Sequence, residues 1–267
     1  MALIGIRNGS LRLDIEPALR AAAEIGYDGV EWCIGPADDE LLATAAGQSQ
    51  ARAWSADAGC PICSLSVATY RGRELCAADQ AERAANVAFV QRWLQTARDL
   101  GAAAILLPHF ERDRDDKSLL PEEEAGYVEG LRACAPAAER LGIHLGLETS
   151  FNSRQLERIL DAVNSPFIGA YQDLSNAVYY GHDTLEMLQR LQRHNAVIHI
   201  KDTGRSNLGE GDVDWAGVRR LLPTLDYGPG GQVGCGWFIL ETPAGDDALG
   251  NARLNLAFTR DLLRDLG

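Results

Sequence analysis

Short runs rich in apolar and β-branched residues recur along the chain at roughly one-eighth of its length, separated by longer stretches with helical periodicity. The runs are Leu3–Ile6, Gly29–Trp32, Ile62–Val67, Ala103–Leu107, Ile143–Glu148, Phe167–Gln172, Val197–Lys201 and Trp237–Glu241. Most are continuously apolar rather than alternating, as expected of parallel strands covered on both faces. Between them the spacing predicts helices. One is framed by Pro17 in its first turn and Gly26 at its stop, and a second covers Asp79–Gly101. Further helices are expected at about Pro121–Leu141, Ser153–Val163, Asp183–His194, Asp214–Leu222 and Asp246–Leu266. No Pro/Gly/Ser-rich linker, low-complexity tract or solenoid-length repeat interrupts the series, so residues 1–267 are expected to form one domain, a single (β/α)8 barrel of α/β class. A doubly wound open sheet is the competing arrangement. Its glycine-rich turn belongs after the first strand, and Gly5-Ile6-Arg7-Asn8-Gly9-Ser10 is not GxGxxG.

Composition narrows the partners. With 46% hydrophobic and 24% charged residues the chain is of ordinary globular type. Its 25 Lys+Arg against 38 Asp+Glu give a net charge of -13, which repels a phosphate backbone, so no nucleic-acid partner is expected. No stretch approaches a membrane span and Met1–Arg7 is too short for a signal-peptide core; the expectation is a cytoplasmic protein with no membrane partner. The six cysteines, Cys33, Cys60, Cys63, Cys76, Cys134 and Cys235, are expected to be free thiols. Cys60-Pro61-Ile62-Cys63 has redox spacing but opens a strand-like run, and a second CxxC for zinc is missing, so buried structural cysteines are the favoured reading.

In a barrel of this kind chemistry sits at the carboxyl ends of the strands. Ligand-type residues close several runs: Glu31, His109, Glu148, Asp173, His199 and Glu241. Glu148, Asp173, His199 and Glu241 end four consecutive strands and should converge. Three carboxylates held together in a low-dielectric mouth repel one another, and a divalent cation resolves the conflict. Oxygen-rich ligation with a single His suits Mn²⁺ or Mg²⁺, while Zn²⁺, Co²⁺ or Fe²⁺ also fit such a site. Each residue alone has a structural reading, as a satisfied acid or a core histidine; the joint pattern favours metal. Glu31 and His109 either line a substrate pocket or tie down a loop.

The order Glu148, Tyr171-Gln172-Asp173-Leu174-Ser175-Asn176-Ala177, Ile198-His199-Ile200-Lys201-Asp202-Thr203, Leu208-Gly209-Glu210-Gly211-Asp212-Val213-Asp214-Trp215, Leu240-Glu241-Thr242 resembles the xylose isomerase-like TIM-barrel family of sugar phosphate isomerases and epimerases. Within it, Cys63-Ser64-Leu65-Ser66, the HIKDT segment and GEGDVDW look most like the L-ribulose-5-phosphate 3-epimerase (hexulose-phosphate isomerase) branch, beside the ketose 3-epimerases. The resemblance implies one divalent ion, Mn²⁺ first among the candidates, held by Glu148, Asp173, His199 and Glu241 and coordinating two neighbouring oxygens of a ketose. The expected reaction is 3-epimerisation of a ketose or ketose phosphate through a metal-stabilised enediolate, with Glu148 and Glu241 as acid and base.

Arg205, six residues after His199, resembles an arginine that contacts substrate oxygen in the ketose 3-epimerases, and Asn176 stands where several of them have a histidine. Lys201 shares the side of His199 if alternation holds, so it reaches substrate or pairs with a ligand carboxylate. Arg71, Arg73 and Arg205, with Gly204, Gly209 and Gly211, are candidates for a phosphate cradle, but Glu210, Asp212 and Asp214 in the same loop oppose one. Whether the sugar carries phosphate stays open, as does homo-oligomerisation. The competing functions are an inosose dehydratase or isomerase of inositol catabolism, an apurinic-site endonuclease, disfavoured by only five histidines and the charge of -13, and an inactive sugar-binding barrel.

Overall fold

The structure, a computed structural model, describes residues 1–70, 74–111, 114–204 and 207–266. Eight strands close into a barrel in sequence order, β1-β2-β3-β4-β5-β6-β7-β8, with β8 returning to pair with β1. They are β1 Leu3–Arg7, β2 Gly29–Cys33, β3 Ile62–Ser66, β4 Ala104–His109, β5 His144–Thr149, β6 Ile168–Asp173, β7 Asn195–Ile200 and β8 Trp237–Leu240, each parallel to its neighbours. The open-sheet alternative is thereby excluded.

The helices are α1 Asn8–Leu11, α2 Ile15–Ile25, α3 Pro36–Leu42, α4 Ala45–Ala58, α5 Gln80–Leu100, α6 Pro121–Leu141, α7 Ser153–Val163, α8 Leu174–Tyr179, α9 Thr184–Arg190, α10 Trp215–Leu221 and α11 Ala248–Leu262. Part of the acidic excess has a local structural use. Asp79, Asp173, Asp183, Asp214 and Asp247 each cap a helix by accepting from a backbone N–H of its first turn, which satisfies orphan donors and complements the helix dipole. None of the described helices is long and apolar enough to cross a membrane.

Strand alternation splits the buried side chains into two layers. One lies between strands and helices and contains Ile105, Leu107, Leu145, Leu147, Ile198 and Leu240. The other fills the barrel with Cys63, Ala104, Leu106, Tyr171, Ala196, Val197, Trp237 and Ile239. Tyr171 enters the interior because the neighbouring strand β5 has glycine against its ring: a Cβ on Gly146 would lie 2.5 Å from Tyr171 Cδ2. The alternation that places Tyr171, Val197 and Ile239 inside also turns Asp173, His199 and Glu241 inward, one pleat nearer the carboxyl face. Cys60 and Cys63 are free and buried, and burial pushes the Cys60 thiol up to about 11 and Cys63 well above the usual range. These are inert structural thiols.

Candidate functional site

Glu148 comes from β5, Asp173 is the last residue of β6, His199 is the penultimate residue of β7, and Glu241 directly follows β8. Each offers one donor atom, and the four atoms lie within 4.8 Å of one another. His199 is fully buried, with Nδ1 3.2 Å from Glu241 Oε2 and 3.9 Å from both Asp173 Oδ2 and Glu148 Oε1. Its other nitrogen, Nε2, is hydrogen-bonded to Glu31 Oε1 over 3.1 Å.

Among the described residues, six buried side-chain atoms lack a hydrogen-bond partner, and three of them are Asp173 Oδ2, His199 Nδ1 and Glu241 Oε2. Buried polar groups are ordinarily paired. The remaining contacts of these three atoms are ion pairs, Lys201 Nζ with Asp173 Oδ2 and His199 Nδ1 with Glu241 Oε2, each at 3.2 Å, and three such atoms facing one another beside a fourth carboxylate are an environment that a divalent cation would satisfy. Three carboxylate oxygens with one imidazole nitrogen make a donor set that such ions accept.

The electrostatics carry the same strain. Burial, together with Glu241 and Asp173 beside it, pushes the Glu148 carboxyl up to about 8. Burial disfavours the charged His199 ring, but Glu31 and Glu241 outweigh it and push its pKa up to about 10. Burial also opposes ionisation of Glu241, yet His199, Arg7 and Lys201 overcome it and hold this carboxyl below its ordinary range.

Two cations border the acids. Lys201 Nζ lies 3.2 Å from Asp173 Oδ2 and 3.5 Å from Glu241 Oε1, so the structure displays its pairing with two carboxylates of the cluster. Arg7, the last residue of β1, pairs through Nη1 with Glu241 Oε1 and contacts Cys33 Sγ through Nε. Sequence reading passed over Arg7, although a charge closing an apolar strand was the signal used for the acids. A cleft of about 300 Å³ adjoins these groups, lined by residues that include Arg7, Ser10, Cys33, Lys201, Glu241 and Thr242.

The other expected contacts fall elsewhere. His109 faces away from the barrel: Ala104 and Leu106 point inward, so His109 points outward, with its ring 4.9 Å from that of Tyr127 and 5.3 Å from that of Phe151. Burial there lowers its pKa. Glu31 is fully buried in the middle of β2, behind His199 and away from the cleft, because the strand continues to Cys33. Asn176 donates from Nδ2 to Glu148 Oε1 over 2.8 Å, so its side chain addresses a cluster carboxylate. Arg71, Arg73 and Arg205 lie outside the described residues. The backbone N–H groups of Gly209 and Gly211, expected as phosphate donors, instead donate to the buried carboxylate of Asp202.

An eight-stranded parallel barrel with a cation-type cluster of acids and one imidazole at its carboxyl face defines a barrel protein with the layout of a metal site. The chain belongs to the xylose isomerase-like TIM barrel family, whose sequence profile matches residues 19–262. It is 24% identical over 237 residues to L-ribulose-5-phosphate 3-epimerase UlaE of Salmonella paratyphi A, covering 84% of this chain and 80% of that protein. The UlaE protein of Escherichia coli SMS-3-5 matches to the same extent, 24% identity over 237 residues. Among solved structures the fold superposes on an L-ribulose 3-epimerase with a TM-score of 0.81 at 18% identity, covering 99% of this chain and 95% of that one. A D-psicose 3-epimerase crystallised in the presence of D-fructose gives a TM-score of 0.80 at 18% identity, covering 98% and 99% of the two chains. The 3-keto-D-glucoside 4-epimerase YcjR of E. coli gives 0.78 at 17% identity, covering 98% and 100%.

Proposed function

We propose that the chain is a divalent-metal-dependent isomerase/epimerase of a ketose or ketose phosphate, inverting the carbon beside the carbonyl at C3. Glu148, Asp173, His199 and Glu241 hold the ion, and Glu148 and Glu241 act as the paired acid and base. The observation carrying this reading is the convergence of one donor atom each from Glu148, Asp173, His199 and Glu241, all within 4.8 Å of one another. When bound, a divalent ion supplies a Lewis acid that makes the proton on the carbon beside a sugar carbonyl easier to remove, an effect worth several kcal/mol. Mn²⁺ suits the oxygen-rich donor set best.

The chain's own groups do the rest. Asp173 and His199 occupy the middle of the arc formed by β5 to β8, and Glu148 and Glu241 stand at its two ends. Proton removal by one glutamate and return by the other, from the opposite face, inverts the carbon. Each carboxylate oxygen has two lone pairs, so one that is directed at an ion or a neighbouring cation keeps another with which to take or give a proton. Arg7 and Lys201 fix Glu241 through Oε1, and Asn176 fixes Glu148. The cleft of about 300 Å³ between Arg7, Lys201 and Glu241 is of the size that a small sugar needs. Relatives that are ribulose-phosphate and ketose 3-epimerases support the substrate class.

The test is a panel of ketoses, ketose 5- and 6-phosphates and inosose, incubated with the Mn²⁺-loaded protein in deuterated water and followed by proton NMR. Deuterium exchange with inversion at C3 of a ketose is expected. Dehydration without inversion would move the assignment to inosose chemistry, and exchange with no substrate would remove the enzymatic reading.

A further inference from the structure

We propose that Glu31 is a positioning residue that presents His199 to the acid cluster; the inference rests on the metal-binding role given to that cluster above. Glu31 is fully buried, and its Oε1 and Oε2 are engaged separately: Oε1 by His199 Nε2 over 3.1 Å, and Oε2 by the hydroxyl of Tyr171. The Tyr171 hydroxyl lies 3.1 Å from Ser64 Oγ, and Arg7 Nε is 3.9 Å from Glu31 Oε1. Side chains from β2, β3, β6 and β7 thus form one connected polar path across the barrel interior, beneath the cluster.

The consequence follows from imidazole chemistry. A cation on the Nδ1 side leaves the ring one N–H, and Glu31, an ionised carboxylate that accepts but cannot donate, holds that hydrogen on Nε2. The Nδ1 lone pair is then directed at the space bounded by Glu241 Oε2, Asp173 Oδ2 and Glu148 Oε1. A carboxylate behind a metal-binding histidine fixes the ring's tautomer and orientation and strengthens it as a donor. Tyr171 serves the same geometry twice. Its hydroxyl occupies the Glu31 oxygen that His199 does not use, and its ring packs edge-on against the imidazole, with centroids 4.6 Å apart and planes at 66°. A Cβ on Gly146 would exclude that ring position. The same carboxylate also neighbours Arg7, which pairs with Glu241, so Glu31 contacts one cluster residue directly and the partner of another.

The experiment measures Mn²⁺ affinity by electron paramagnetic resonance for wild type, Glu31→Gln, Glu31→Asp and Tyr171→Phe, with near-ultraviolet circular dichroism to establish folding. In parallel, long-range ¹H–¹⁵N NMR of the Zn²⁺-loaded wild type reads the His199 tautomer; the chain has only five histidines to assign. Expected are a proton on Nε2 of His199, a ten- to hundredfold loss of Mn²⁺ affinity in folded Glu31→Gln, partial recovery in Glu31→Asp, and a severalfold loss in Tyr171→Phe. A folded Glu31→Gln with wild-type affinity, or a wild-type His199 protonated on Nδ1, would overturn the inference. Should Glu31→Gln fail to fold, folded Tyr171→Phe decides, and wild-type Mn²⁺ affinity in it would overturn the inference. If wild type binds neither ion, the metal reading of the cluster fails; if wild type binds and Glu31→Gln binds equally well, only the role of Glu31 falls.

Discussion

Asn176 joins two acids of the cluster: its Nδ2 donates to Glu148 Oε1 over 2.8 Å and its backbone N–H donates to Asp173 Oδ1 over 2.8 Å. The first turn of α8 brings this about, because Asp173 ends β6 and caps the helix with no intervening loop. Asn176→Ala keeps the backbone bond and removes the side-chain one. A hydrogen bond contributes about 0.5–1.5 kcal/mol, and more to a charged acceptor, so Tm should fall by a few degrees, and a Glu148 freed from this tether should lower kcat by roughly tenfold or more. Steady-state epimerisation rates check this, and an unchanged kcat would separate Asn176 from the function of Glu148.

Glu148→Gln should separate activity from stability. The substitution keeps an oxygen to accept from Asn176 while removing a carboxyl that burial, Glu241 and Asp173 already disfavour as an anion. Loss of a proton-transfer group costs roughly 10²–10⁴ in rate. In metal-free buffer the variant should nevertheless melt a few degrees above wild type, because one source of like-charge repulsion has gone. Calorimetry beside the exchange assay reads both; lower stability with retained exchange would contradict the role given to Glu148.

Divalent metal should act as a stabilising ligand. A ligand at 100 times its Kd adds about 2.7 kcal/mol, and for a chain of this size each kcal/mol moves Tm by roughly 2–4 °C. Mn²⁺ should therefore raise the wild-type Tm by roughly 5–10 °C, reversibly with chelator, and raise that of Asp173→Ala far less. Equal melting curves with and without Mn²⁺, Co²⁺ and Zn²⁺ would leave the cluster without its ion.

The barrel was legible because its strands are apolar runs bounded by helix punctuation, and each expected strand lies within two residues of an observed one at either end. The convergence of Glu148, Asp173, His199 and Glu241 was legible for the same reason, since parallel strands in register deliver their ends to one face. The errors have separate physical causes. Helices α3 and α4 escaped notice because α4, Ala45–Ala58, is rich in alanine and polar residues and shows little apolar striping. Helix α8 is only six residues and starts on the last residue of a strand, which leaves no loop signal before it. The choice left open for His109 needed its side of the strand: a strand end gives height along the barrel, while side is set by counting in twos from Ala104 and Leu106. Tyr171 reads as an ordinary core aromatic; only the glycine at position 146 on the adjacent strand hints that its ring crosses the interior.

Acid should weaken the fold partly through His144. This first residue of β5 packs its ring, tilted by 32°, 4.8 Å from that of Phe167, and burial pushes its pKa down to about 4. The unfolded value is about 6.5, so between these values the unfolded chain takes up a proton that the folded chain refuses. Stability is therefore intact above about pH 6.5 and falls as the pH drops towards 4, by roughly 2 kcal/mol once partial exposure is allowed for. His144→Gln, neutral throughout, should lose less Tm between pH 7.5 and 4.5 than wild type. Parallel losses in the two proteins would show that other groups dominate the acid limb.

The loop after β7 hangs on Asp202, which is 1% exposed. Its Oδ1 accepts from the backbone N–H of Thr203 at 2.8 Å and Val213 at 3.3 Å, and its Oδ2 from Gly209 at 2.9 Å, Gly211 at 3.2 Å and Trp215 Nε1 at 2.7 Å. Burial alone would raise this carboxyl, but these donors hold it below the usual range. The chain can wrap this closely because position 211 is glycine: a Cβ there would lie 2.2 Å from Asp202 Oδ1. Asp202→Asn is nearly isosteric, yet it removes the charge and turns an NH₂ towards N–H donors that then lack an acceptor. An unsatisfied buried group costs about 1–3 kcal/mol, and more than one is created, so roughly 3 kcal/mol and a fall in Tm of roughly 6–12 °C are expected. Asp212→Asn, in the same loop but with a side chain that among the described residues meets only the Thr203 hydroxyl, should change Tm little. Because Asp202 and Gly204 also border the cleft beside Lys201 and Glu241, Asp202→Asn should raise KM more than it lowers kcat. Equal Tm values for the two variants would show that Asp202 does not organise this loop.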